Sequence, residues 1–225
     1  QLRRRVAELQ GKLDTLGLDE DGDASPFEPV PLHLVMMERG VVLVALLFLQ
    51  SFSSLVLSNY EQLIRDHPSI VFFLTMLVGA GGNAGNQAAV VVVRALALNA
   101  ARIKQVQPSS LLKQEVMMAV GLTVLLGVTG LVRTVFSDHT SPAEATAITF
   151  SLVCIVFLSV IAGASLPLLL ELIYIDPVHS STIIQVLMDI TGVLLTCYVS
   201  HFLLDTQEGQ QFLSLFGIPD GSQGG

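Results

Sequence analysis

The sequence has no tryptophan, only two cysteines and very little charge: Asp, Glu, Lys and Arg make up 13% of its 225 residues. A soluble domain carries about a quarter. The shortage is uneven, because seven of the 19 acids fall in the first 28 residues. With 11 Lys and Arg in the whole chain, there is no basic face of the kind a nucleic-acid partner requires. Aromatics at 6% leave little for an interfacial belt. Cys154 and Cys197 both sit in apolar runs, with no CxxC or Cys/His cluster, so neither a disulfide framework nor a zinc site is implied. They read as small core residues. What is plentiful is apolar: 52% of residues are hydrophobic and the mean hydropathy is +0.67. That excludes an ordinary soluble enzyme and a disordered tail, and it points to an integral membrane protein.

Residues 1–31 differ from the rest. Leu2, Val6, Leu9, Leu13 and Leu16 recur at helical spacing, which predicts a short amphipathic helix over 2–16. Gly17–Pro31, with its acids, glycine and three prolines, reads as a linker. The region reads as a cytoplasmic tail, without a signal or transit peptide. The chain opens at Gln1 rather than Met, which suggests a fragment or a processed form. Residues 32–206 form the membrane region, and 207–225 a C-terminal tail. Five apolar segments follow one another: Leu34–Leu57, Ser69–Leu98, Lys113–Thr134, Ala147–Leu170 and Ser181–Leu204. Each approaches the roughly 20 residues that a spanning helix needs. Breakers separate them: His67-Pro68, Pro108-Ser109-Ser110, Ser141-Pro142 and Asp176-Pro177. Strand alternation is absent, so helices are the only spanning option. The fold class is therefore all-α integral membrane, with five transmembrane helices.

Basic residues set the orientation. Arg3, Arg4, Arg5, Lys12, Arg39, Arg94, Arg102, Lys104 and Lys113 fall on one side, and Arg65 and Arg133 on the other. The N-terminus is expected in the cytoplasm, or an equivalent compartment, and the C-terminus opposite. Either a plasma membrane or an organelle membrane satisfies that rule.

Arg94, Glu115, Arg133 and Glu171 read as lying near helix ends, where side chains reach the interface. Asp189 does not: it falls about nine residues into the fifth segment. A lone carboxylate at that depth costs several kcal/mol and is by default functional. Ser181, Gln185, Asp189, Gly192 and Thr196 share one stripe of the helix. Oxygen ligands around one carboxylate suit a hard cation rather than a soft metal. A second constellation is Gly79-Ala-Gly-Gly-Asn-Ala-Gly-Asn-Gln87. Glycines and amides inside an apolar span belong where backbone lines a cavity or packs on another helix. Asn83, Asn86 and Gln87 lie three or four residues apart, on one side, and offer neutral carbonyl oxygens. Helix packing accounts for some of the glycines but not for three amides in five residues. Magnesium gives up its water reluctantly, so a wide site with few carboxylates fits it. Two chains about a symmetry axis would set two carboxylates at one depth.

At these motifs the sequence resembles the membrane domain of the MgtE family of magnesium channels and transporters. The residues that carry the resemblance are Gly81-Gly82-Asn83-Ala84-Gly85-Asn86-Gln87 with Arg94 following, and Asp176-Pro177 followed by Asp189-Ile190-Thr191-Gly192. The resemblance covers about residues 34–204. It implies a homodimer with the pore between the second and fifth helices of the two chains, and Mg2+ as the transported ion. Asp189 would be the central carboxylate. Gly79, Gly82 and Asn86 would line the pore from the second helix, and Ser181, Gln185 and Gly192 from the fifth. Asn83 and Gln87 join the expected ion site, and Thr196 and Asp176 the pore lining. Two positions depart from the bacterial pattern: Ser181 stands for an amide, and Gln185 for a small residue. Bacterial members place a helical domain and CBS modules before the first helix, so cytoplasmic regulatory domains are expected to be missing here.

Other readings compete. A sodium- or proton-coupled exchanger would want a relay of buried carboxylates, and the sequence offers only Glu171 and Asp176 near one face. An intramembrane enzyme would want a second mid-membrane Asp or a Ser–His pair. His33, His67, His139, His179 and His201 all fall in loops or near ends. The reading is a transport protein, not an enzyme. A purely structural subunit does not explain the polar constellations.

Overall fold

The computed structural model describes residues 32–100, 107–174 and 177–218. The helix expected over 2–16, the linker 17–31, Asp176, Arg102 and Lys104 lie outside the described residues. The chain divides into two compact units, 1–45 and 46–225. The described part of the first is helical. Regular structure among the described residues is entirely helical: α1 Leu32–Gln50, α2 Phe52–Asn59, α3 Glu61–Asp66, α4 Ser69–Ala100, α5 Pro108–Val135, α6 Pro142–Leu172, α7 Ser180–Asp205 and α8 Gln207–Leu215. A 3-10 turn, Pro177–His179, precedes α7. Five stretches are long and apolar enough to cross a membrane: Leu32–Asn59, Ser69–Ala100, Pro108–Val135, Pro142–Leu172 and Ser180–Asp205.

The third and fourth spans begin five residues earlier than the apolar runs suggest, for a local reason. Pro108 and Pro142 stand in the first turns of α5 and α6. Proline has no N–H to lose there and its φ is already helical. Ser141 caps α6: its hydroxyl accepts from Glu144 N, and the Glu144 carboxylate accepts from Ser141 N at 2.8 Å. This reciprocal box satisfies two donors that a helix start leaves open. The first span is interrupted between Gln50 and Phe52. Ser51, Ser53 and Ser54 donate their hydroxyls to the carbonyls of Phe48, Gln50 and Ser51. Such back-bonding competes with the helix ladder and bends or breaks it.

Within the second unit, α6 packs along α4, α5 and α7, and α4 also runs beside α7. In lipid, helices gain little by hiding apolar surface from one another, so close packing of small residues holds them together. Gly81 and Gly85 of α4 meet Ser159 and Gly163 of α6. The Ser159 hydroxyl donates to the Gly81 carbonyl. A Cβ on Gly163 would overlap the Gly85 carbonyl. Leu77, Val92, Ile148, Ile155 and Val160 fill the seam beside them. A second cluster, including Leu63, Ile70, Val193, Cys197 and Leu213, closes the end where α3 and α8 sit. Met117, Val120, Val124 and Val128 on the outer side of α5 are exposed, the surface a bilayer would cover.

Candidate cation site

α4 and α7 run antiparallel, and three pairings set their register. Ser181 donates its hydroxyl to Asn86 Oδ1 at 2.6 Å. Gly82 lies against the Gln185 amide, where a Cβ would be 2.6 Å from Oε1. Gly192 lies against Val78, where a Cβ would be 3.2 Å from the valine side chain. With no Cβ at 82, the Gln185 amide lies directly against the α4 backbone; a larger residue there would push aside the end of this exposed, flexible side chain.

Asp189 sits between the second and third pairings, about 12 Å along the helix from Ser181 at the usual rise of 1.5 Å per residue. Both of its oxygens are occupied. Gln185 Nε2 donates to Oδ1 at 3.2 Å, and Gln50 Nε2 donates to Oδ2 at 2.5 Å. Carboxylate, amides and hydroxyl thus lie along one stripe of α7 in two bonded groups, Gln50–Asp189–Gln185 and Ser181–Asn86. All are hard oxygen or amide groups, the donor set of magnesium and calcium. Among the described residues, no group of three or more His, Cys, Asp or Glu could hold a metal. A single carboxylate with neutral neighbours favours an ion that keeps its water.

The remaining expected residues fall elsewhere. Asn83 and Gln87 do not share the face of Asn86. With Gly79 they line a separate open groove of about 530 Å³ against Leu122 and Leu126 of α5. Gly79 has nothing near where its Cβ would stand. Thr196 is fully buried, and its hydroxyl is bonded to the Gly192 carbonyl of its own helix at 2.7 Å. The polar run 79–87 therefore divides three ways: 81 and 85 onto α6, 82 and 86 onto α7, and 79, 83 and 87 into the groove.

Three features were not found from the sequence. Gln50 is the first; an amide closing nine apolar residues was the available signal. Glu115 is the second. It read as a helix-end residue, but α5 starts at Pro108, and Glu115 is buried at 6% exposure on the same stripe as Leu111 and Ala119. The third is a cluster around His67, at the other end of α7 from Ser181. His67 Nδ1 lies 3.1 Å from Glu144 Oε1, and His67 Nε2 lies 3.8 Å from Asp205 Oδ1. Asp205 Oδ2 lies 2.8 Å from His201 Nδ1. The Glu144 hydrogen bond raises the His67 pKa above its ordinary 6.5; burial opposes this, and the charges of Glu144, Asp205 and Asp66 add to it. His67, His201, Asp205 and Asp66 border a cavity of about 660 Å³ that Asn59, Tyr60 and Gln210 also line.

Comparison with known proteins bears on the same residues. The MgtE family model, described as a divalent cation transporter, matches residues 74–199. The magnesium transporter MgtE of Thermus thermophilus is 32% identical over 200 residues, 88% of this chain and 43% of that protein. The magnesium transporter MgtE of Enterococcus faecalis is 30% identical over 154 residues, 68% of this chain and 33% of that protein. The chain spans less than half the length of these curated relatives.

Proposed function

The chain belongs to the MgtE family, and we propose that it carries hydrated Mg2+ across a membrane, with Asp189 as the ion-binding carboxylate. The observation that carries this reading is the polar stripe on α7: one mid-span carboxylate bonded to Gln185, with Ser181 and its partner Asn86 about two turns away. Magnesium keeps several waters when bound. The carboxylate supplies charge, and the amide and hydroxyl oxygens accept hydrogen bonds from those waters. Two chains packed about an axis beside α4 and α7 double the charge at one depth, which favours divalent over monovalent ions. Asn83, Gln87 and Gly79 then belong to the wider polar lining rather than to the contact with the carboxylate. With the N-terminus cytoplasmic, an inside-negative potential of 100 mV drives each inward divalent ion by about 4.6 kcal/mol, twice the single-charge value.

The test is flux. The chain is reconstituted in liposomes loaded with a magnesium-sensitive dye and compared with Asp189→Ala and Asp189→Asn. The expected result is a loss of at least about tenfold in both variants, as for a buried charged partner removed from its ion. Equal flux in all three proteins would reject Asp189 as the site.

A second reading, a proton- or sodium-coupled exchanger, is favoured by one observation: Glu115 is a buried carboxyl inside the third span that passive conduction does not use. It predicts that flux requires an opposing gradient and that Glu115→Gln uncouples the two. Undiminished magnesium entry with neither gradient present would reject it.

A further inference from the structure

We propose that Gln50 is the occluding donor of the ion site: its amide holds Asp189 when no cation is bound and must leave for one to enter. This rests on the reading of Asp189 as the ion-binding carboxylate. Among the described residues, Gln50 is the one side chain from outside α7 that hydrogen-bonds to Asp189. An ionised carboxylate only accepts hydrogen bonds. The waters around a cation present O–H donors to it, and the Gln50 Nε2–H group occupies Oδ2 in the same way. Ion-bound water and the Gln50 amide therefore compete for one oxygen. Gln185 does not play this part, since it stands one turn along the same helix and moves with Asp189.

The position of Gln50 suits a removable donor. It is the last residue of α1, directly before the interruption at Ser51. There Ser51, Ser53 and Ser54 already bond their hydroxyls to backbone carbonyls. A small change of backbone angle at such a break swings the amide without disturbing the packed seam of α4 and α6. Leu47, Phe48 and Leu49 beside it are exposed, so no packed core holds the segment in place.

Competition fixes the sign of the effect. Removing the donor weakens the empty state and leaves the ion's ligands in place, so the site fills at lower concentration. Liposome flux is measured against magnesium concentration for the unaltered chain, Gln50→Leu, Gln50→Met and Asp189→Ala. Gln50→Leu is expected to lower the half-saturating magnesium concentration about tenfold to a hundredfold, the range for one hydrogen bond to a charged group. Gln50→Met, which keeps the length of the side chain but has no N–H donor, is expected to lower it similarly. A merely structural Gln50 would reduce thermal stability and the amount of active protein while leaving half-saturation unmoved. If Asp189→Ala abolishes flux and both Gln50 variants keep the original half-saturation, or raise it, the occluding role is overturned and the carboxylate site stands. If Asp189→Ala conducts normally, the site assignment fails first and the inference falls with it.

Discussion

A glycine in a membrane helix has several uses, and those of α4 and α6 separate them. Gly163 touches the Gly85 carbonyl so closely that no Cβ fits, whereas Gly79 has open space beside it. Backbone cannot yield as a flexible side chain can. Gly163→Ala is therefore expected to force α4 and α6 apart and to destabilise the protein by about 1–3 kcal/mol. Gly79→Ala meets no obstacle and gains helix propensity of up to about 1 kcal/mol. Thermal unfolding of the two variants in detergent gives the comparison: a lowered Tm for Gly163→Ala, and an unchanged or raised one for Gly79→Ala. Equal loss in both would mean that the close approach at Gly163 contributes nothing. The same distinction explains why run 79–87 could not be resolved by eye. Its small and polar residues occupy three arcs of one helix. Periodicity reveals that a residue lies on an arc, but not which neighbour the arc meets.

At the scale of elements, the five spans were legible because about 20 apolar residues in succession have few other solutions. The helix starts were less so. Pro108 and Pro142 look like breakers until the first-turn position, which tolerates proline, is considered. Ser141–Glu144 reads as a capping box only once the helix start is fixed. The stripe Ser181–Gln185–Asp189–Gly192 follows from a period of 3.6 alone. Gln50 does not, because its contact joins residues 139 positions apart. The cluster at His67 is likewise non-local, linking the α3–α4 turn to the start of α6 and the end of α7. Its charge state makes a pH prediction. A His pKa raised by folding means that the protonated ring stabilises the native state fully below its ordinary 6.5. That contribution is lost as pH rises through the higher native value. Stability of the reconstituted chain is expected to fall as pH rises above the ordinary 6.5, and His67→Gln to flatten the dependence. The slope of Tm against pH checks this. An unchanged slope in His67→Gln would assign the dependence to another group.

At the scale of the whole molecule, the polar groups that one chain leaves uncovered bear on how it assembles. Gln185, Asn83 and Gln87 are exposed although they lie within spans. Amides facing lipid are costly, so this side of the bundle needs water or protein against it, whereas the apolar outer side of α5 needs neither. The proposed two-fold arrangement sets each Asp189 face opposite its own copy, because an isologous contact brings identical residues together at the axis. In a background of Cys154→Ala and Cys197→Ala, a single thiol introduced by Gln185→Cys should therefore cross-link chain to chain under mild oxidation. One introduced by Met117→Cys, on the exposed face of α5, should not. The readout is a band of doubled mass on a denaturing gel without reductant, lost on adding reductant. Unchanged thermal unfolding of the uncross-linked Gln185→Cys protein would show that the variant is folded. Cross-linking at Met117 but not at Gln185 would place the contact on the other side of the bundle and leave the carboxylate of each chain to work alone.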